Sequence, residues 1–353
     1  MDLLDFWYLL RHILGPFVLT ICASVGLTYV VRNLTRSMGL LDRPGQHKQH
    51  AAPTPTLGGL PVFIAFSLGA WLSGPLSSNL VTLLAASLLL VSVGVVDDIW
   101  GVRAKLKLTA LFFSVFLLWR EGIHLDAFGL VGFASLSLTF LWIGLVSSAF
   151  NGVDNADGAA AGLAVISAAA TFWISWQTWQ HDLAVVSLIL AGACIGFLVF
   201  NFPMPVATIF LGDSGSLFLG FGLASITVLG EWSVVGWKAA CVAVLLVFVP
   251  LFDFLFILIS RGLDGRYRTW EDPIKMCGRD HLSHRLRYLG FSPRQVLVVL
   301  YGLSVAAGYG AFLVVRDPAV LTPIVLWRFV SLVGLLGVAL KATGLPPDAF
   351  VEE

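Results

Sequence analysis

Charge is what this 353-residue chain has least of. Asp, Glu, Lys and Arg make up 12% of it, against 58% hydrophobic residues and a mean hydropathy of +0.89. A soluble domain is about a quarter charged, so most of this protein's surface is not built to face water. The 21 basic and 21 acidic residues cancel, which excludes the strong single-sign field of a nucleic-acid binder. The four cysteines, Cys22, Cys194, Cys241 and Cys277, lack the spacing of a disulfide framework, zinc site, haem or iron–sulfur centre. A cleavable leader needs a basic n-region, and none precedes the first apolar stretch, which follows Asp2 and Asp5. That stretch is therefore expected to remain in the membrane. Internal repeats and long linkers are also missing, so residues 1–353 read as a single integral membrane domain.

Long apolar runs are abundant. A bilayer crossing takes about 20 mostly apolar residues. Runs near 13–31, 57–74, 79–96, 106–119, 133–150, 159–176, 183–200, 214–229, 236–259, 293–315 and 319–341 predict an all-α, polytopic helix bundle of about 10–11 spans. The fourth run is the weakest, and without it the count is ten. Loops after odd-numbered spans hold Arg32, Arg36, Arg43, Lys48, Arg103, Lys105, Lys107 and the basic residues between Arg261 and Arg294. Loops after even-numbered spans hold Arg120, Lys238 and Arg316. Basic residues stay in the cytoplasm, so the N-terminus is expected outside and the odd loops inside. Asp42, Asp97, Asp98, Asp154, Asp157, Asp213 and Asp280 also fall in or beside odd loops. The positive-inside rule does not require that of acids. It predicts one composite active site on the cytoplasmic face.

Five stretches carry that chemistry. Asp97-Asp98 ends an apolar run, where charge is costly. The pair reads either as a solvated helix end or as a group that takes a proton or sits beside a divalent cation. Asn151-Gly-Val-Asp154-Asn155-Ala-Asp157-Gly158 places several hard oxygens within about two helical turns. One could be a helix cap, but four exceed what a cap needs, and they suit magnesium or the donors of a nucleotide base. Gly212-Asp213-Ser214-Gly215-Ser216 opens a helix and would offer main-chain N–H groups to phosphate, although it is equally a good capping sequence. Gly278-Arg279-Asp280-His281-Leu-Ser-His284-Arg285-Leu-Arg287 supplies donors for phosphate oxygens, or simply an ordinary basic loop. Leu41-Asp42-Arg43-Pro-Gly-Gln-His47-Lys48-Gln-His50, followed by Pro53-Thr-Pro-Thr-Leu-Gly58-Gly59, is by itself only a stiff basic loop.

In this order, from about Gly39 to Gln295, the five stretches resemble the polyprenyl-phosphate N-acetylhexosamine-1-phosphate transferases, a glycosyltransferase family that includes the bacterial GlcNAc-1-phosphate initiating enzymes. The chain departs from the family pattern at Ser148 (Asn in the family), Asn155 (often Gly), Ala159 (Leu) and Ser283 (often a third histidine).

The resemblance implies transfer of a HexNAc-1-phosphate, GlcNAc-1-phosphate first among them, from a UDP-sugar to polyprenyl phosphate in a bacterial inner membrane, releasing UMP. It implies Mg2+, with Mn2+ as an alternative ion, held by Asn151 and Asp213. Asp97, Asp98, Asp154 and His281 are assigned to catalysis, with Asp97 and Asp98 orienting or deprotonating the lipid phosphate. Lys48, Lys107, His284 and Arg285 are assigned to substrate, and Asn155 and Asp157 to the uracil edge. Asp253, after Pro250-Leu251-Phe252, is expected to orient other groups of the site. Membrane lipids surround such an enzyme, homodimers occur in the family, and nucleic acid is not a partner. Two rival readings are a multi-span secondary transporter, which would place its acids near the midplane on broken helices, and an inactive lipid-binding relative.

Overall fold

A computed structural model of the chain describes residues 10–42, 53–125, 131–204, 206–267, 278–316 and 322–342. A π-helical turn, Leu10–Leu14, leads into α1, Gly15–Ser37, which is started by Pro16. A two-residue antiparallel pairing of β1 (Leu41–Asp42) with β2 (Thr54–Pro55) follows. Then come α2 (Gly59–Leu72), α3 (Ser78–Trp100), α4 (Ala104–Arg120), α5 (Gly132–Val153), α6 (Ala159–Gln177) and α7 (His181–Asn201). The order continues with α8 (Gly212–Leu229), α9 (Gly236–Leu246), α10 (Phe248–Leu263), α11 (Leu282–Tyr288), α12 (Pro293–Arg316) and α13 (Thr322–Ala342).

Among the described residues, each of the eleven apolar runs of the sequence contains a helix. Among the described residues, eight helices, α1, α3, α5, α6, α7, α8, α12 and α13, are long and apolar enough to cross a bilayer. The α9–α10 pair, bent by 87° at Val247, makes a ninth at most. The protein is thus polytopic, and among the described residues helix length and apolarity account for eight or nine of the 10–11 expected crossings. At 1.5 Å per residue, the 14 residues of α2 rise only about 21 Å, short of a hydrocarbon core of about 30 Å. The 17 residues of α4 fall short as well and begin with Lys105 and Lys107.

The core is organised around α8. Of its apolar window 72% is buried, against 28% for α1 and 19% for α13, which face outward. Small residues allow the close approach, as is usual where helices pack without a hydrophobic driving force. A Cβ on Gly94 of α3 would collide with the main chain of Ser214. One on Gly220 would lie 2.5 Å from Cα of Ser147 on α5, and one on Gly59 of α2 would collide with Gly215. Phe218 fills the remaining space against Phe63 and Phe66. Hydroxyls inside the apolar helices return their protons to the preceding turn, as Thr20 does to the Pro16 carbonyl at 2.7 Å and Ser225 to that of Phe221 at 2.7 Å.

One end of the bundle is built differently. The C-terminal ends of α3, α5 and α7 meet the N-terminal ends of α2, α4, α6 and α8 there. The chain before α2 also joins the chain before α8: Phe210 N–H donates to Pro55 O at 2.8 Å, Gly58 N–H to Phe210 O at 3.0 Å, and Gly59 N–H to Leu211 O at 2.8 Å. Every polar motif of the sequence that falls within the described residues opens onto this end.

Candidate active site

Asp97 and Asp98 end α3. The helix stops because Gly101 takes a positive φ of 68° and returns its N–H to Asp97 O at 2.8 Å. Asp97 Oδ1 accepts Val102 N–H at 2.6 Å, which turns the chain toward α4. Its other oxygen meets the ammonium of Lys107, one turn into α4, and the same ammonium also contacts Asp213 at the start of α8. Asp213 Oδ1 in turn accepts from Asn151 Nδ2 at 3.1 Å, and Asn151 Nδ2 also reaches Ser216 Oγ at 2.9 Å. Residues 97, 107, 151 and 213 therefore form one continuous cluster, although up to 116 positions separate them. Asp98 lies alongside, its two oxygens accepting Asp213 N–H at 2.7 Å and Ser214 N–H at 3.2 Å. Gly212, at φ +74°, is needed twice over: by that backbone angle, and because a Cβ there would come within 2.6 Å of Asp98 Oδ2.

Asp154, just past the end of α5, is the least compensated member. Protein closes around it, although part of its surface stays open. This burial, together with the charges of Asp213, Asp98 and Asp157, pushes its carboxyl well above the usual range.

Among the described residues, no three His, Cys, Asp or Glu side chains converge into a closed metal cage. Mg2+ does not need one, because it takes one or two carboxylates and completes its shell with water and substrate phosphates. Asn151 spends its amide N–H groups on Asp213 and Ser216, which leaves its carbonyl oxygen as a hard ligand beside the Asp213 carboxylate. Asp154 adds a carboxylate close to the charges of Asp213, Asp98 and Asp157. Asn151 and Asp213 thus fit such an ion as an open site.

The histidine stretch packs against the acidic loop. His281 Nδ1 pairs with Asp253 Oδ2 at 2.7 Å, while Asp253 Oδ1 accepts Leu282 N–H at 2.6 Å. Asp253, on α10 beyond the break, thereby fixes the ring and the start of α11 together. The ring lies over Gly152, where a Cβ would stand 3.2 Å from its Cε1, so His281 reaches the acidic loop.

Four residues expected to touch substrate are engaged within the protein or set apart by burial. Burial, then the neighbouring His281, pushes His284 down to about 4, which favours the neutral ring. Arg285 is buried, donating from Nε to Asp280 O at 2.8 Å and from one terminal nitrogen to Leu340 O at 3.0 Å, with its plane over Phe256. Its donors hold the main chain of the loop and of α13. Asn155 spends both ends of its amide inside the protein, giving Nδ2 to Gly152 O at 2.8 Å and accepting Ser283 Oγ at 2.5 Å. Asp157 accepts Ala207 N–H at 3.0 Å and so shapes the loop before α8. Lys48 lies outside the described residues.

Several contributors went unread in the sequence. Arg261 forms a buried two-point pair with Asp280, at 2.8 and 2.6 Å. Burial alone would raise the Asp280 carboxyl, but this guanidinium holds it below the usual range. Asn201 ties Gly158 N–H (3.0 Å) to Ile209 O (2.9 Å), and Tyr301 donates to Gly158 O at 2.7 Å. A buried Asn closing the apolar run of α7 was the available signal for the first of these.

Known proteins resemble this chain over most of its length. The family model described as "Glycosyl transferase family 4" matches residues 80–231, the stretch from α3 to just beyond α8. A protein of Mycobacterium tuberculosis named decaprenyl-phosphate N-acetylglucosaminephosphotransferase is 32% identical over 319 residues, covering 80% of this chain and 77% of its own. A Bacillus subtilis protein named "Probable undecaprenyl-phosphate N-acetylglucosaminyl 1-phosphate transferase" is 28% identical over 82% of this chain and 81% of its own. The undecaprenyl-phosphate alpha-N-acetylglucosaminyl 1-phosphate transferase of Yersinia pestis is 24% identical over 78% of this chain and 77% of its own.

Proposed function

Because the chain belongs to glycosyl transferase family 4, among the polyprenyl-phosphate N-acetylglucosamine-1-phosphate transferases, we propose that it transfers GlcNAc-1-phosphate from UDP-GlcNAc to a polyprenyl phosphate such as the undecaprenyl carrier. An oxygen of the lipid phosphate attacks the phosphorus that bears the sugar. The bond from that phosphorus to the UMP oxygen breaks, and polyprenyl-diphosphate-GlcNAc and UMP leave. Such a transfer asks a protein mainly for positioning and for neutralisation of charge.

The observation that carries the reading is the contact of Lys107 with both Asp97 and Asp213, with Asn151 on the far side of Asp213. The ammonium suits diphosphate oxygens, and Asp97 suits the incoming lipid phosphate, which it orients or relieves of a proton. Asn151 and Asp213 would hold Mg2+, which when bound offsets charge on the diphosphate. His281, oriented by Asp253, lies over Gly152, next to Asn151. Each buried CH2 of the lipid tail favours hydrocarbon by about 0.8 kcal/mol. The phosphate must therefore be met at the membrane surface, where this end of the bundle would stand. The concentration of basic residues in the same loops supports a cytoplasmic site in the inner membrane and an external N-terminus.

The test is purified protein in lipid nanodiscs with polyprenyl phosphate, Mg2+ and a panel of radiolabelled UDP-GlcNAc, UDP-GalNAc and UDP-FucNAc. Labelled lipid and an equal amount of UMP are expected, with UDP-GlcNAc fastest. In proteoliposomes, uptake of label without UMP would make the protein a transporter.

A further inference from the structure

Adjacent in sequence, Asp97 and Asp98 do different things in space. The carboxylate of Asp97 faces Lys107 and the Asp213 side chain, and also accepts from the turn at Val102. Both oxygens of Asp98 are committed to main-chain N–H groups at the start of α8, those of Asp213 and Ser214. A helix leaves its first N–H groups without partners, and a nearby side-chain acceptor commonly supplies them. The residue preceding α8, Leu211, cannot do so and makes no side-chain cap. The cap arrives instead from another helix. Its fit is close: Gly212 leaves room for the Asp98 oxygens, and Gly94, one turn earlier on α3, brings that helix against the Ser214 main chain. Gly59 of α2 closes on Gly215 from another side.

We propose that Asp98 is a positioning residue rather than a catalytic one. It fixes the backbone from which Asp213 projects, and it leaves Asp97 as the member of the pair that faces the reactants. The functional half of this statement rests on the transferase reading; the structural half does not.

Hydrogen–deuterium exchange of the purified protein, read on peptides spanning residues 212–216, tests the structural half directly in wild type, Asp97→Asn, Asp98→Asn and Asp98→Ala. Exchange of the first-turn amides is expected to quicken at least tenfold in both Asp98 variants, with α6 and α7 unchanged, and to stay at the wild-type rate in Asp97→Asn. Steady-state transfer supplies the second readout. Turnover should fall in the Asp98 variants, while KM for the sugar nucleotide and the shape of the pH–rate profile stay as in wild type. Asp98→Glu, which keeps the charge but is one CH2 too long for the space beside Gly212, should behave as Asp98→Ala does. Unchanged exchange at 212–216 in Asp98→Asn would overturn the proposal. So would a Glu variant as active as wild type, or loss of protection throughout the bundle in the isosteric Asn variant, since positioning is local. A wild-type protein that transfers nothing would sink the transferase reading and leave the exchange result standing.

Discussion

Replacing Lys107 with Met keeps the length of the side chain and removes the positive charge in contact with Asp97 and Asp213. Two opposite charges about 4 Å apart attract by about 4 kcal/mol at an effective dielectric constant of 20. Lys107 and Asp213 are 28% and 30% exposed and Asp97 only 11%, so water screens part of each interaction, as it does at surfaces. The two together are then worth about 2–4 kcal/mol. If that stabilisation supports the diphosphate in the transition state, kcat/KM falls by about thirtyfold to a thousandfold. The assay is initial-rate UMP release from UDP-GlcNAc in nanodiscs, on protein shown to be monodisperse. Lys107→Arg keeps the charge in a flatter, forked head and should recover part of the loss. A Met variant within threefold of wild type would refute the reasoning, because the ammonium would then have no part in the site.

Other perturbations separate the scaffold from the chemistry. Asp280→Ala leaves the buried Arg261 guanidinium without its partner and should cost about 3–5 kcal/mol of stability; a lowered unfolding temperature in detergent checks it, and replacing both residues by apolar ones should recover most of the loss. His284 titrates near 4 in the fold and near 6.5 when unfolded, so the unfolded chain binds the proton first as pH falls. Stability should therefore decline from about pH 6.5 toward 4, with a shallower slope in His284→Gln, measured by thermal unfolding across that range. Gly94→Leu forces a side chain into the main chain of α8's first turn and should abolish transfer while the other helices still form, as circular dichroism would show. Ser283→Ala releases Asn155 on the acidic loop and should raise KM for the sugar nucleotide severalfold with little change in kcat.

The helices were legible because each apolar run is nearly free of charge, and the gathering of Asp97, Asn151 and Asp213 at one end followed from loop parity alone. Crossing lengths were less legible, since hydropathy spreads beyond helix ends: the run at 57–74 yields only Gly59–Leu72. The break at Val247 had a visible cause in Pro250, which suits the first turn of a new helix better than the interior of an old one. Contacts of individual polar side chains were not legible. Arg285 looked like a phosphate donor because sequence shows its charge and not that Leu340, 55 positions away, uses it. Asn155 likewise looked free to read a base, and its partner Ser283 lies 128 positions on. Asp98 could be told from Asp97 only once the start of α8 was seen resting on it.

A double-mutant cycle between Asp97 and Asp213, read as kcat/KM for UDP-GlcNAc, bears most directly on the convergence of distant acids in one working unit. Groups that act as a unit lose activity together, and removing the second after the first costs little. The Asp97→Asn/Asp213→Asn enzyme should accordingly be within a few-fold of the worse single variant. Losses that multiply in full would contradict it, because the two carboxylates would then be acting independently.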